Sequence, residues 1–214
     1  MKNGLEEWHN RAAAHENSSL DAFAKRVSRD TRGGELLAAV FGNSPFLSQC
    51  LLRDLDFARD LIERGPLELC TEILKLLRTS QCAESATLMV TLREFRSKMA
   101  LLVAAADIAG IWSLSEVTRM LSSFAGEAIS TAVNHLLARA AAAGDVKLLN
   151  EERPADDSGF TIIGMGKLGA GELNYSSDID LIALFDHEKI QYTGRKSPQD
   201  FFVRLTKDLV KILQ

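Results

Sequence analysis

Between Phe160 and Asp186 the chain reads FTIIGMGKLGAGELNYSSDIDLIALFD. Two short apolar, β-branched runs bracket a polar turn holding Gly164, Gly166, Gly169 and Gly171. Such runs predict short buried strands over Phe160–Ile163 and Ile179–Phe185. The glycines between them permit backbone conformations that a Cβ forbids. The second run opens on Asp178 and Asp180. Residues two apart on a strand share a face, so both carboxylates project together beside the turn. Two like charges held that close require a cation, and hard oxygen ligands suit magnesium. The two strands are expected as neighbours in one small sheet, which needs helices to cover it.

A second reading of the same stretch exists. Gly164, Gly166 and Gly169 spell GxGxxG, and Asp186 follows at the spacing of a dinucleotide-binding turn. That reading requires a helix through Gly169, Gly171, Asn174, Ser176 and Ser177, residues that favour turns instead. A regular helix from Lys167 to Ser177 between parallel strands would restore it.

Upstream, the apolar period is helical. Ser18-Ser19-Leu20-Asp21 resembles a capping box that opens a helix through about Arg29, with Gly33-Gly34 as its breaker. Met1–Asn17 predicts a loosely held helix with Trp8 as its one large apolar group. Ser44-Pro45 reads as a helix start, a capping hydroxyl followed by proline at the first helical position. Asp54–Arg64 continues that helix or forms another, and Leu67–Arg78 is amphipathic. Ser85–Ala109 predicts a long helix whose Arg93, Arg96 and Lys98 lie off the apolar stripe, a solvated face in preference to a phosphate contact. Ser113 and Glu116 form another capping box, before a helix that Gly144 closes. Asp145–Ser158 is a charged connector, and the period changes at Phe160. Residues 1–157 are therefore expected as a helical bundle, and 158–214 as a second domain. After the polar stretch His187–Lys196, Ser197-Pro198 starts a last helix with Phe201, Phe202, Leu205, Leu209, Val210 and Leu213 as its buried face.

Composition narrows the function classes. Apolar content of 46% and charged content of 25% are ordinary for a soluble globular chain. A net charge of −4 gives no basic excess for nucleic acid. No apolar run approaches membrane length, so neither export nor insertion is expected. Cys50, Cys70 and Cys82 lack paired spacing and read as reduced thiols within helices. His9, His15, His135 and His187 are scattered without a second ligand at metal spacing, and His187 is expected at the surface.

The glycine-rich turn with Ser176 and Ser177 followed by Asp-x-Asp resembles the nucleotidyltransferases related to DNA polymerase beta. GMGKLGAGELNYSSDIDLI is similar to the motif in the amino-terminal half of the glutamine synthetase adenylyltransferase/deadenylylase family. Asn43–Asp54 and Leu92–Ala125 resemble segments upstream of that motif. The resemblance implies a mainly α chain with a small α/β part: an amino-terminal helical bundle followed by an incomplete polymerase-beta-like sheet. It implies a cytoplasmic enzyme that removes AMP from a tyrosine of glutamine synthetase by phosphorolysis, releasing ADP. An adenylylating half that uses ATP would stand outside this segment. Asp178 and Asp180 would be catalytic metal ligands for Mg2+. Gly164, Gly166, Lys167, Gly169, Ser176 and Ser177 would contact nucleotide or phosphate. Glutamine synthetase and the PII signalling protein would be partners. The superfamily adds a third carboxylate on a later strand, and nothing here fills that role. The chain is therefore expected to be a fragment, inactive alone. The competing reading is a helical interaction module with a degenerate nucleotidyltransferase remnant.

Overall fold

Short polar side chains cap the starts of five helices among the described residues. The computed structural model describes residues 2–186, 188, 189, 191–195 and 197–214. It is mainly α with a small sheet part. The chain divides into two compact units, Met1–Ile73 with Phe95–Met120, and Leu74–Glu94 with Leu121–Gln214.

The first unit is helical. It contains α1 (Lys2–Ala14), α2 (Ser19–Arg29), α3 (Thr31–Asn43), α4 (Pro45–Arg53) and α5 (Leu55–Arg64). Parts of α6 (Pro66–Arg78), α7 (Ser85–Ile108) and α8 (Leu114–Ala142) complete it. Ser44 Oγ accepts from the Leu47 N–H at 3.2 Å, as its sequence position requires. Asp54 accepts from the Phe57 N–H at 2.9 Å, so α5 is a separate helix and not a continuation of α4. Ser113 and Glu116 cap α8 reciprocally. The Ser113 N–H donates to the Glu116 carboxylate at 2.7 Å, and the Glu116 N–H donates to Ser113 Oγ. The Ser113 N–H, and with it the Ser113 hydroxyl, donates to the Glu116 carboxylate and holds that carboxyl below its usual range.

Three expectations for this unit are corrected. α1 is anchored, because Trp8 is fully buried, packs edge-on to Phe23 and donates from Nε1 to the Ala24 carbonyl. Ser18 makes no cap bond; Asn17 Oδ1 accepts from both the N–H and the hydroxyl of Ser19. Gly33 and Gly34 lie inside α3, and the break falls at extended Asp30, whose carboxylate accepts from the Gly33 N–H at 2.8 Å. A Cβ on Gly33 would stand 2.5 Å from the Val27 carbonyl oxygen, so the glycine serves close approach of two helices. Lys98 pairs with Asp54 at 3.1 Å and lies over the Phe57 ring. Cys50 and Cys70 are buried free thiols whose pKa values burial pushes up.

The second unit holds the sheet residues. β2 (Phe160–Gly164) and β3 (Leu181–Phe185) pair antiparallel, with Phe160 opposite Phe185 and Gly164 opposite Leu181. Between them stands only α9 (Gly166–Gly169), a single turn. The antiparallel pairing and the short α9 rule out the dinucleotide-binding crossover. α10 (Pro198–Leu213) starts where Ser197 Oγ accepts from the Asp200 N–H. Its Phe202 stacks on Phe185 and Phe160, with centroids 4.4 and 5.5 Å apart, and so covers one face of the pair. Ile212 rather than Val210 completes its buried side. The strands are therefore covered on one face only, and not buried on both: Ile163, Ile182 and Leu184 are exposed, and Phe185 on the covered face is 40% exposed. One further pairing has no counterpart in the sequence reading. β1 (Val146–Lys147) pairs with β4 (Gln191–Tyr192), across the connector and the polar stretch. Cys82 lies between α6 and α7, not in a helix. His187 lies outside the described residues.

Within this unit Arg139 donates to Ser85 Oγ at 2.6 Å, and Ser85 Oγ is 2.9 Å from His135 Nε2. The arginine occupies one oxygen lone pair, and the hydroxyl proton and the second lone pair remain for the imidazole. Burial first, and Arg139 second, hold the His135 pKa below its usual 6.5. A depressed histidine pKa means that the unfolded chain binds the proton more readily. Stability should hold above about pH 6.5 and fall as pH drops toward the lowered folded value. Urea midpoints at several pH values should show this loss in the parent and a shallower one in His135→Gln.

Candidate active site

Backbone pairing places the carboxylates. The Met165 N–H donates to the Asp180 carbonyl at 2.8 Å, which carries the β2–β3 ladder one step past Gly164. Asp180 therefore stands opposite Met165, one bond from the glycine turn. From Ser177 to Leu184 exposure alternates, with Asp178, Asp180, Ile182 and Leu184 on the exposed side. Alternation with a period of two puts both carboxylates on one face. That face is the one α10 leaves uncovered.

The turn is compact because glycines allow it. Gly166 has φ +52°, in the left-handed region that suits glycine. A Cβ on Gly169 would lie 2.4 Å from the Gly164 carbonyl oxygen, so α9 packs directly against the end of β2. The Glu172 N–H returns to the Lys167 carbonyl at 2.8 Å. Leu173 is buried, and its N–H donates to Ser122 Oγ of α8 at 3.0 Å. These bonds fix the far side of the turn.

The remaining candidate residues fall around this frame. Lys167 is exposed on α9. Ser176 is exposed and Ser177 half-buried, immediately before Asp178. The Ser177 hydroxyl donates to Asn174 Oδ1, and the Ser177 N–H donates to the Asn174 carbonyl at 3.3 Å. Asn174 therefore orders the approach to the carboxylates, as Glu172 does through its backbone. The exposed apolar residues Ile163, Met165, Ile182 and Leu184 share the carboxylate face. Sequence reasoning missed them because an apolar residue facing outward looks the same in the string as one facing inward. The unbalanced coverage of a two-stranded sheet is the signal that would have found them. Among the described residues no three His, Cys, Asp or Glu side chains converge.

Comparison with known proteins decides the family. A family described as glutamate-ammonia ligase adenylyltransferase matches residues 34–214. The chain belongs to that family. Among its relatives, a bifunctional glutamine synthetase adenylyltransferase/adenylyl-removing enzyme of Mesorhizobium japonicum is 38% identical over 206 residues, covering 95% of this chain and 21% of the relative. A protein of the same description from Bradyrhizobium sp. is 36% identical over 201 residues, covering 92% of this chain and 20% of the relative. One from Rhizobium meliloti is 34% identical over 201 residues, covering 91% and 20%. This member of the glutamate-ammonia ligase adenylyltransferase family thus spans about a fifth of the length of the curated relatives it matches.

Two glycines separate packing from propensity. Gly169→Ala forces a methyl against backbone and should destabilise the fold by about 1–3 kcal/mol. Gly126 sits inside α8 with nothing within 4 Å of an added Cβ. Gly126→Ala should stabilise by about 0.5–1 kcal/mol through helix propensity. Opposite shifts of the urea midpoint check both.

Proposed function

We propose that this chain carries the site at which AMP is removed from a tyrosine of glutamine synthetase by attack of inorganic phosphate, with magnesium as cofactor. The observation that carries this reading is the carboxylate pair: Asp178 and Asp180 on one exposed face, one backbone bond from a glycine turn. Family membership supports the transferase class, and the relatives' descriptions name both adenylylation and adenylyl removal. The ELNYSSDIDLI string supports the removing activity in particular. We place the adenylylating activity in the part of those relatives that this chain does not match.

The donor set suits magnesium. Two carboxylates, with no third ligand beside them among the described residues, fit an ion that keeps several waters and takes its remaining oxygens from substrate phosphates. Bound there, magnesium supplies positive charge against the charge on the transferring oxygens. A phosphate oxygen attacks the phosphorus of the tyrosyl phosphodiester. The new P–O bond forms as the bond to the tyrosyl oxygen breaks. The tyrosyl oxygen leaves with that electron pair and takes a proton from the incoming hydrogen phosphate or water, and ADP is released. The chain's part is positioning and charge. Lys167 on α9 and Ser176 are exposed and are read as phosphate contacts. Ser177, its proton committed to Asn174, offers lone pairs and a fixed backbone. The N–H groups of Met165, Gly169, Ala170 and Gly171 are bonded within the chain, so the anion nest of this reading falls to those of Gly166, Lys167 and Leu168 at the start of α9. Glutamine synthetase, AMP, ADP and phosphate are the partners this chemistry requires, and PII is the proposed regulatory partner. A cytoplasmic location accords with reduced thiols and with the metabolic substrate.

The limited ligand count favours one second reading, a helical interaction module that retains the strand pair without turnover. The readings part on metal. On the proposed function, calorimetry of this chain detects weak nucleotide binding that requires magnesium. Asp178→Asn and Asp180→Asn each abolish it while circular dichroism is unchanged. In a chain of the relatives' length, either variant should lower phosphate-dependent ADP release from adenylylated glutamine synthetase by ~100-fold or more, as expected for loss of a metal ligand charge. Variants that retain activity within about threefold, roughly 0.7 kcal/mol of barrier, would show the ligand assignment to be wrong.

A further inference from the structure

The face that carries the carboxylates also carries an apolar strip. Register puts Ile182 opposite Ile163 and Leu184 opposite Thr161, while the Met165 N–H bonds to the Asp180 carbonyl. Asp178 and Asp180, just before β3, and Ile182 and Leu184 within it thus follow one another along one extended stretch, with Ile163 and Thr161 of β2, and Met165 just after it, opposite. Ile163 is 42% exposed, Met165 43%, Ile182 43% and Leu184 49%. Single exposed apolar residues need no explanation, but a contiguous set beside a charged site marks a binding surface.

The chemistry of the strip selects its occupant. A phosphodiester between AMP and tyrosine brings two flat groups to the site. Adenine has ring nitrogens and an amino group on its edges. The phenyl ring of tyrosine has no polar edge once its oxygen is esterified. Between Asp180 and Leu184 the strip offers no side-chain donor or acceptor, and Thr161 stands at its far end. Selecting adenine takes hydrogen-bond partners at its edges, and the strip supplies none; the phenyl ring needs apolar contact alone. Reach agrees. One ester oxygen separates the phosphorus from the ring, so a ring leaving a phosphorus held at Asp180 falls within the ~6.6–6.8 Å step to Ile182.

We propose that Ile163, Ile182 and Leu184 form the seat for the phenyl ring of the modified tyrosine, making this open face the protein-substrate side of the site. The proposal rests on the adenylyl-removing reading of Asp178 and Asp180. It makes these apolar residues determinants of specificity for an aryl over an alkyl phosphodiester.

The test is a methyl NMR titration of this chain, labelled at isoleucine and leucine methyls, with magnesium and either the phenyl ester or the methyl ester of AMP. The phenyl ester should shift the Ile163, Ile182 and Leu184 methyls by its ring current, and the methyl ester should leave them unmoved. Ile182→Ala should weaken the phenyl ester about fivefold, the ratio that ~40 Å² of lost apolar contact implies, and leave the methyl ester unchanged. Equal shifts with both esters would give the strip to adenine and overturn the proposal. Shifts of these methyls on changing protein concentration alone would give it to a second copy of the chain and likewise overturn it. If both esters perturb the amides of Gly166, Ser176 and Asp180 but no strip methyl moves, the seat is wrong and the carboxylate reading stands. If neither ester perturbs any of these groups, the carboxylate reading fails and the seat falls with it.

Discussion

The register of β2 on β3 is the constraint on which the site depends. Gly164 pairs with Leu181, and the bond from the Met165 N–H to the Asp180 carbonyl follows from it. A slip of one residue would exchange the two faces of β3. Asp180 would then turn toward Phe202 and α10, where an unpaired carboxylate is costly to bury. The stack of Phe160 and Phe185 on Phe202 would be lost with it. The aromatic packing on one face and the charges on the other thus specify the same register. Each alone would be a weak determinant; together they leave no neutral alternative.

The turn that joins the strands is held from outside itself. Leu173 is buried and its N–H is bonded to Ser122 on α8, while Gly169 rests against the Gly164 carbonyl. The segment between Ser176 and Asp180 is exposed on one side and has little packing of its own. A rigid helix on one side and a strand ladder on the other fix its ends, and the chemistry-bearing residues lie between. Ends fixed in this way give an exposed segment both precision and access.

The helix starts were legible wherever one residue did the capping. Ser44, Ser113 and Ser197 each accept the backbone bond that their positions require. Legibility ended where a distant residue decided the outcome. Gly33 reads as a breaker, yet the approach of the Val27 carbonyl makes glycine a requirement inside α3. Trp8 gave no periodic signal, because its partners Phe23 and Ala24 lie on another helix. At the site, the spacing of Asp178 and Asp180 put both on one face without any coordinates. The exposure of Ile182 and Leu184 was not readable, since coverage by α10 is a tertiary fact. The β1–β4 pair was hidden for a related reason: two residues on each strand carry no period.

Charge links the carboxylates to whatever phosphate they meet. The chain carries a net −4, and Asp178 and Asp180 add negative charge where a phosphodiester and inorganic phosphate would have to approach. Lys167 brings one positive charge to the turn. On the proposed reading, a divalent ion offsets these two carboxylates and so aids association as well as chemistry. The apolar strip contributes in a different way. Contact with an uncharged ring is insensitive to salt, whereas the phosphate contacts weaken as ions screen them. Substrate held through both would keep part of its affinity at ionic strengths that abolish binding of free nucleotide. A surface that sets carboxylates beside exposed isoleucine and leucine is an unusual one to leave open, and this division of labour supplies a physical reason for it.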